Sequence, residues 1–261
     1  MKALSIAATG MLAQQTNVDV IANNIANMTT TGYKRQRPEF QDLLYQNLEQ
    51  IGATSSDAGT ILPSGVQLGV GVKTAAVYRI TGQGNLVSTG NTLDLAIQGK
   101  GYFTIALPSG GQAYTRAGTF QLSPQGEIVT LDGFTVSPGI TVPAEARSIN
   151  INASGEVEVT LDGQVVPQNV GQLELATFPN EAGLEAIGEN LCLQSPASGQ
   201  VGTSTPGSAG YGTLQQGFLE TSNVDAVSEI TSLINAQRAY ELNSKVITTA
   251  DEMMAAVSQL R

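Results

Sequence analysis

The chain has 261 residues, with 29 Gly, 10 Pro, a single Cys and neither His nor Trp. Without histidine there is no Ser-His-Asp or Cys-His nucleophile system, one cysteine leaves no zinc ligand set, and an intrachain disulfide is impossible. Twelve Lys+Arg against 22 Asp+Glu give a net charge of −10, the wrong sign for neutralising phosphates, and no segment approaches the ~20 apolar residues that span a bilayer. The expectation is a protein with no nucleic-acid partner, no transmembrane segment, no metal and no cofactor.

Glycine and proline divide the chain into three. Gly52 to Gly217 hold 27 of the 29 glycines, and the 44 residues after Gly217 contain neither Gly nor Pro. The acidity belongs mainly to the middle, where residues 51–217 carry a net −7.

At the N-terminus the apolar stretch Ala3 to Ala13 is interrupted by Ser5, Thr9 and Gly10 and leads to no cleavage pattern, so no cleaved signal is expected. Leu4, Ala8, Met11, Gln15, Val18, Ala22 and Ile25 recur at alternating steps of four and three, which predicts a helix with a heptad-type seam. Asn23 and Asn27 fall on one face with Asn24 beside them. Their amides either bridge to neighbouring backbones or serve as weak polar caps near the helix end. Gly32 is expected to supply a backbone conformation closed to other residues after the helix stops, with Tyr33 anchoring the returning chain. Lys34, Arg35 and Arg37 form a basic cluster whose expected partners are Glu220, Asp225 or Glu229 of the same or another subunit. The alternative is a solvated basic turn.

The middle reads as β structure. Val70 to Ile80 alternates with period two, predicting a strand with one buried face, and short strands follow at Leu93–Ile97, Tyr102–Leu107, Phe120–Leu122 and Glu127–Leu131. Ser123-Pro-Gln-Gly126, Asp132-Gly133 and Asp162-Gly163 are turn signals. Gly126-Glu-Ile-Val-Thr-Leu-Asp-Gly133 and Gly155-Glu-Val-Glu-Val-Thr-Leu-Asp-Gly163 differ by one inserted residue, which suggests a reused hairpin. Ser195 to Gly212 is rich in Ser, Gly and Pro and is expected to be an exposed loop, while the lone Cys192 is expected to act as a small hydrophobe. Glu156 and Glu158 share a strand face, where alternating Glu is ordinary for a solvated edge, and Gly99-Lys-Gly101 lacks the spacing of a phosphate loop. Nothing in the middle points to catalysis.

At the C-terminus Leu233, Ala236, Tyr240, Asn243, Ile247, Ala250, Met254 and Val257 repeat the 3-4 alternation, with Ser222 and Asn223 as candidate N-caps. A helix of ~38 residues spans about 57 Å. Arg238 and Glu241, three apart, are placed to pair within or between helices. Both terminal helices have narrow apolar stripes and many Asn and Thr, so a single copy holds them weakly. They are expected to bury against other copies, or else to form an intramolecular hairpin packed on the β region.

Ala22-Asn-Asn-Ile-Ala-Asn27 with Thr30-Thr-Gly-Tyr-Lys-Arg35 resembles the N-terminal signature of the bacterial flagellar axial proteins, the rod and hook family. Leu93-Asp-Leu-Ala-Ile-Gln-Gly99, Gly101-Tyr-Phe103 and Tyr114-Thr-Arg-Ala-Gly118 resemble that family's central β motif. Gly217-Phe-Leu-Glu-Thr-Ser-Asn-Val-Asp225, Gln237-Arg-Ala-Tyr-Glu-Leu-Asn243 and Asp251-Glu-Met-Met254 are similar to its C-terminal signature. Within the family the similarity is to the distal-rod members, on the length and on Gln46 to Gly69, which includes Leu62, Pro63 and Gly65. The hook and proximal-rod members are the alternative inside the family, and a monomeric β binding domain with a helical hairpin is the alternative outside it.

The resemblance implies an α+β fold in which long N- and C-terminal helices pair as a coiled coil, forming an inner domain, with an outer all-β domain and an extended linker. Its expected divisions are 1–35 for the first helix, 36–92 for the linker with the distal-rod stretch 46–69, 93–213 for the β domain and 214–261 for the second helix. It implies a structural, non-enzymatic subunit of a straight hollow helical drive shaft that transmits motor torque to the hook. The implied partners are further copies of the chain, other rod proteins, the hook protein, the surrounding P- and L-ring proteins and the flagellar export apparatus. The residues expected to carry assembly are Leu4, Met11, Val18, Asn23, Asn24, Ile25, Asn27, Gly32, Tyr33, Lys34, Leu62, Pro63, Gly65, Ser222, Asn223, Leu233, Gln237, Arg238, Tyr240, Asn243, Ile247 and Met254.

Overall fold

A computed structural model describes residues 2–49, 64–162 and 166–259. Leu62, Pro63, Gly163, the middle of the Gln46–Gly69 stretch and the side chain of Val257 lie outside the described residues. The fold is α+β, with a helix at each end of a β-rich middle. The chain divides into two compact units, one of Met1–Ala26, Gln36–Tyr78 and Asp225–Arg261, the other of Asn27–Arg35 and Arg79–Val224.

In the first unit, α1 (Lys2–Ala26) and α2 (Ala226–Gln259) pack against each other. Asn24 hydrogen-bonds Glu229, and fourteen residues back a side chain begun at Gly10 would meet Asn243, fourteen residues on from Glu229. The helices therefore run antiparallel over two heptads without slipping. The buried face of α1 holds Ala7, Ala13, Val20, Ile21 and Asn24. This corrects the expected seam by one residue, or about 100° of helix rotation. Leu4, Met11, Val18 and Ile25 are half-buried on its flank, and Ala8, Gln15 and Ala22 are exposed. Close approach of two backbones selects the small and amide side chains, at the expense of the bulky ones that the period search favours. On α2 the inward residues include Glu229, Leu233, Ala236, Asn243, Ile247 and Ala250, while Tyr240 and Met254 are exposed.

The start of α2 also differs from expectation. Asp225 is its N-cap, with its carboxylate accepting the Ser228 N–H at 3.0 Å. Ser222 and Asn223 are engaged elsewhere: the Ser222 hydroxyl accepts the Val224 N–H, and Asn223 ties down loop backbone. The helix is accordingly 34 residues long.

The same unit contains two strand pairs, Gln36–Asp42 with Val72–Arg79 and Tyr45–Glu49 with Val66–Gly69, the second antiparallel with Tyr45 opposite Gly69. Thr74 and Ala76, which the alternation assigned to a buried face, are exposed. Val72 and Tyr78, from the same set, are half-buried.

The second unit is built around a nine-stranded sheet among the described residues, accompanied by the three strands Ala146–Ile151, Glu156–Leu161 and Gln168–Gln172. Its central strand, Tyr102–Ala106, is buried over its first four residues because both faces are covered. Period-two alternation then sorts its side chains. Phe103 and Ile105 join the main core with Leu95, Phe120, Val157 and Leu175, whereas Tyr102 points into a second cluster with Tyr114, Phe178 and Cys192. Phe103 meets Phe120 edge-on at 5.0 Å between centroids.

The repeated sequence is a repeated structure at its entry turn. Gly126 donates to the Ser123 carbonyl and Gly155 to that of Asn152, both glycines at positive φ (83° and 84°). The side chains of Ser123 and Asn152 each accept the N–H four residues on, from Glu127 and Glu156. The two glycine carbonyls each receive a long-range N–H, from Val142 and Leu173. Ser195 to Gly212 departs from expectation: it contains the strand Gly202–Ser204, paired with Leu175–Thr177, and the fully buried Ser198. The Ser198 hydroxyl donates to the Ser195 carbonyl, so this one side chain is buried without an unmet hydrogen bond at its hydroxyl.

Candidate functional site

Two arrangements gather the chemistry-bearing residues, one in each unit. In the β unit, the segment that follows α1 in the chain meets the segment that precedes α2, around the carboxylate of Glu220. Glu220 is 1% exposed and lies on the strand Phe218–Glu220. One of its oxygens accepts from Lys34 Nζ at 2.5 Å and from the Gly84 N–H at 2.9 Å, and the other from Arg116 Nε at 2.6 Å. Arg116 is held flat by the carbonyls of Ile97, Gly99 and Gly101, and Lys34 also donates to the Gly82 carbonyl. Two cations on one buried anion satisfy nearly every polar atom, which is the condition for a buried ion pair to be tolerated.

The electrostatics follow from that count. Burial pushes the Glu220 carboxyl up, but Arg116 and the Lys34 hydrogen bond outweigh it and hold the group below the usual carboxylate range. Burial pulls the Lys34 ammonium below the usual lysine range in spite of Glu220, with Arg116 adding like-charge repulsion. Burial, with Glu181 nearby, raises the Tyr102 phenol well above its ordinary value.

Backbone contacts complete the junction. Gly32 adopts φ +68° and donates to the Glu220 carbonyl at 2.8 Å, and a Cβ there would stand 2.8 Å from the backbone of Arg116 and Ala117. Tyr33 is half-buried, its N–H bonded to the Thr30 carbonyl, and Asn27 accepts from the Thr30 hydroxyl. Asn223 accepts from the Arg35 N–H at 2.7 Å and donates to the carbonyls of Ile80 and Gly82. The junction thus ties residues 27–35, 80–84, 97–101, 116 and 217–223 together. Beside it a cavity of about 350 Å³ is lined by Lys34, Gln83, Lys100, Tyr102, Arg116 and Glu181. Both buried cations in its wall, Lys34 and Arg116, are already committed to Glu220.

The helix unit has its own polar centre. Asn24, 1% exposed, donates to the Gln36 carbonyl and accepts the Gln36 N–H, both at 2.9 Å, and donates to Glu229 at 3.2 Å. Asn24 thus bridges to a neighbouring backbone, from an inward face turned one residue from the one expected.

Of the basic cluster, Lys34 meets Glu220 in the same chain and Arg37 lies exposed against Glu39 and Tyr78, while Asp225 caps α2. Leu233, Asn243 and Ile247 sit along the seam. Gln237, Arg238, Tyr240 and Met254 face outward, and Gly65 leads into the Val66–Gly69 strand. Arg116 carried no expectation of its own. Its only signal was an arginine inside an apolar strand motif that ends in Gly118, since an arginine there must find a buried anion.

The chain matches known proteins along its length. Residues 4–34 match the family described as flagella basal body rod protein, residues 96–159 the flagellar hook protein FlgE/F/G D1 domain, and residues 215–260 the flagellar basal body rod FlgEFG protein C-terminal region. The chain is 62% identical over 261 residues to the flagellar basal-body rod protein FlgG of Caulobacter vibrioides, covering 100% of both chains. It is 52% identical to that of Agrobacterium fabrum, over 99% of both, and 40% identical to that of Bacillus subtilis, over 100% of this chain and 99% of the relative.

Proposed function

The chain belongs to the FlgG family of flagellar basal-body rod proteins, and from that premise we propose how its two helices and its β unit serve a rod. It is a structural subunit of the distal rod in the flagellar basal body, working in a polymeric assembly with other flagellar components, and it is not an enzyme. The observation that carries this is identity with basal-body rod proteins along the whole chain, which favours the distal rod over the hook and over a monomeric binding domain.

In the proposed arrangement α1 and α2 pair as a coiled coil and line a straight hollow tube, with residues 1–35 and 214–261 as its inner wall. Residues 93–213 form the outward β domain, and 36–92 an extended linker whose stretch 46–69 stiffens contacts between subunits. The antiparallel seam of small and amide side chains supports the inner wall, because closely packed helices need such residues. The net −7 of the middle segment supports an outward face that does not adhere to the P- and L-ring proteins around it. Torque then passes from copy to copy toward the hook protein, and the flagellar export apparatus delivers the chain without a cleaved signal.

Electron microscopy of the purified full-length protein under polymerising conditions tests this. Straight tubes of uniform diameter are expected. A monodisperse monomer at every concentration, in the presence of rod fragments as seeds, overturns it.

A further inference from the structure

Once the seam between α1 and α2 is accounted for, much of the surface of each helix is left exposed, further along α2 at Tyr240, Leu242, Val246 and Met253, and the first turns of α2 carry an aliphatic line of their own. On α2, Val227, Ile230 and Ile234 fill the first two turns, and Arg238, Glu241 and Lys245 continue the same line at steps of three and four. This line lies opposite buried Glu229 and Ala236, and its aliphatic part is open to water, with Val227 75%, Ile230 50% and Ile234 44% exposed. A face bathed in water along its whole length has no reason to change from aliphatic to charged halfway. The change marks the edge of a patch that something covers.

On α1 the outward line is Ser5, Ala8, Leu12, Gln15, Asp19 and Ala22, every one exposed. Leu12 is 66% exposed, and the helix carries only two charged residues, Lys2 and Asp19, in 25. A helix with so little charge around its circumference is built to be covered on more than the side that faces α2.

We propose that a second copy of this chain covers both lines, the outward line of α1 in one copy seating around Leu12 on the Val227–Ile230–Ile234 patch of α2 in the next. The proposal rests on the polymeric reading above and adds which faces the copies use. Neither line is available to the other helix of its own chain, because those helices already meet through their inward faces at the seam. Ser5 and Ala8 on one side of Leu12 let two helix backbones approach, and a line whose single charge is Asp19 suits an aliphatic patch. The alternating charges of Arg238, Glu241 and Lys245 then form the rim of the contact. Because the two lines are different surfaces of one chain, the contact is heterologous, and a heterologous contact that does not close propagates as a helix.

Two full-length variants and their mixture test this, read by sedimentation of polymer. Leu12→Glu and Ile230→Lys both alter residues exposed in the single chain, so circular dichroism and melting of the unassembled protein are expected to match the wild type. Each alone is expected to raise the critical concentration by roughly tenfold or more, because a charge is placed in a dry contact. The equimolar mixture is expected to recover assembly, since the carboxylate introduced in one copy then meets the ammonium introduced in the next and every other contact stays wild-type. Either single variant assembling like the wild type overturns the proposal, and so does a mixture no better than its components. If the wild type itself does not polymerise, it is the polymeric reading that fails.

Discussion

Glu220 decides more at the scale of one residue than any other side chain in the β unit. It neutralises Lys34 and Arg116 together, so Glu220→Gln leaves two buried cations sharing a neutral amide, and the expected loss is about 3–5 kcal/mol at neutral pH, measured by urea unfolding. The sign of the pH dependence follows from its lowered pKa. The folded value lies below the unfolded one, about 4.3, so the stabilisation is fully present above that pH and is lost as pH falls through the folded value. Urea midpoints across the acid range should therefore fall more steeply for the wild type than for Glu220→Gln. An equal slope in both would show that other groups control acid unfolding. Gly32 is the second decisive residue. Its left-handed φ and the backbone of Arg116 and Ala117 against it leave no room for a side chain, so Gly32→Ala is expected to cost roughly 1–3 kcal/mol in the same assay.

At the scale of elements, caps and turns place each piece. Asp225 sets the first turn of α2, so Asp225→Ala is expected to destabilise that helix by about 1 kcal/mol, seen as earlier loss of helical signal on heating, whereas Ser222→Ala should leave the helix start unchanged. The two entry turns of the repeated hairpin make a paired prediction. Gly126 and Gly155 share φ, turn hydrogen bond and carbonyl acceptor role, so Gly126→Ala and Gly155→Ala are expected to lower the melting temperature of the β unit by similar amounts. A large effect at one glycine and none at the other would mean that the resemblance between the turns is only local. The helix seam obeys a different logic. Asn24, Gly10 and Asn243 are poor contributors of apolar area, and their worth is in fixing the antiparallel register where a greasy stripe would slide.

For the whole molecule, the uneven spread of glycine, proline and charge separates two jobs. The β unit has a continuous apolar core with its own buried charge centre, and the helices have a thin seam and wide uncovered faces. Deleting residues 2–26 is therefore expected to abolish sedimentable polymer while leaving the cooperative unfolding of the β unit near that of the full chain. Assembly that survives the deletion would remove the helices from the account of the polymer.

The sequence by itself determined the helices at both ends, the β-rich middle, the turns at Gly126 and Gly133 and the exclusion of histidine-based catalysis, because each depends on composition or on local periodicity, while the class of protein came from the resemblance of its motifs to a known family. Tertiary structure alone decided which face of each helix turns inward. A 3-4 alternation is satisfied equally by two adjacent lines of residues, and only the partner helix, by approaching closely, chose the line of Ala7, Gly10 and Asn24 over that of Leu4, Met11 and Ile25. It also decided that Lys34 and Arg116 share Glu220, three residues far apart along the chain. No local rule reaches that far: a buried charge is tolerated only where folding brings its counter-charges to it.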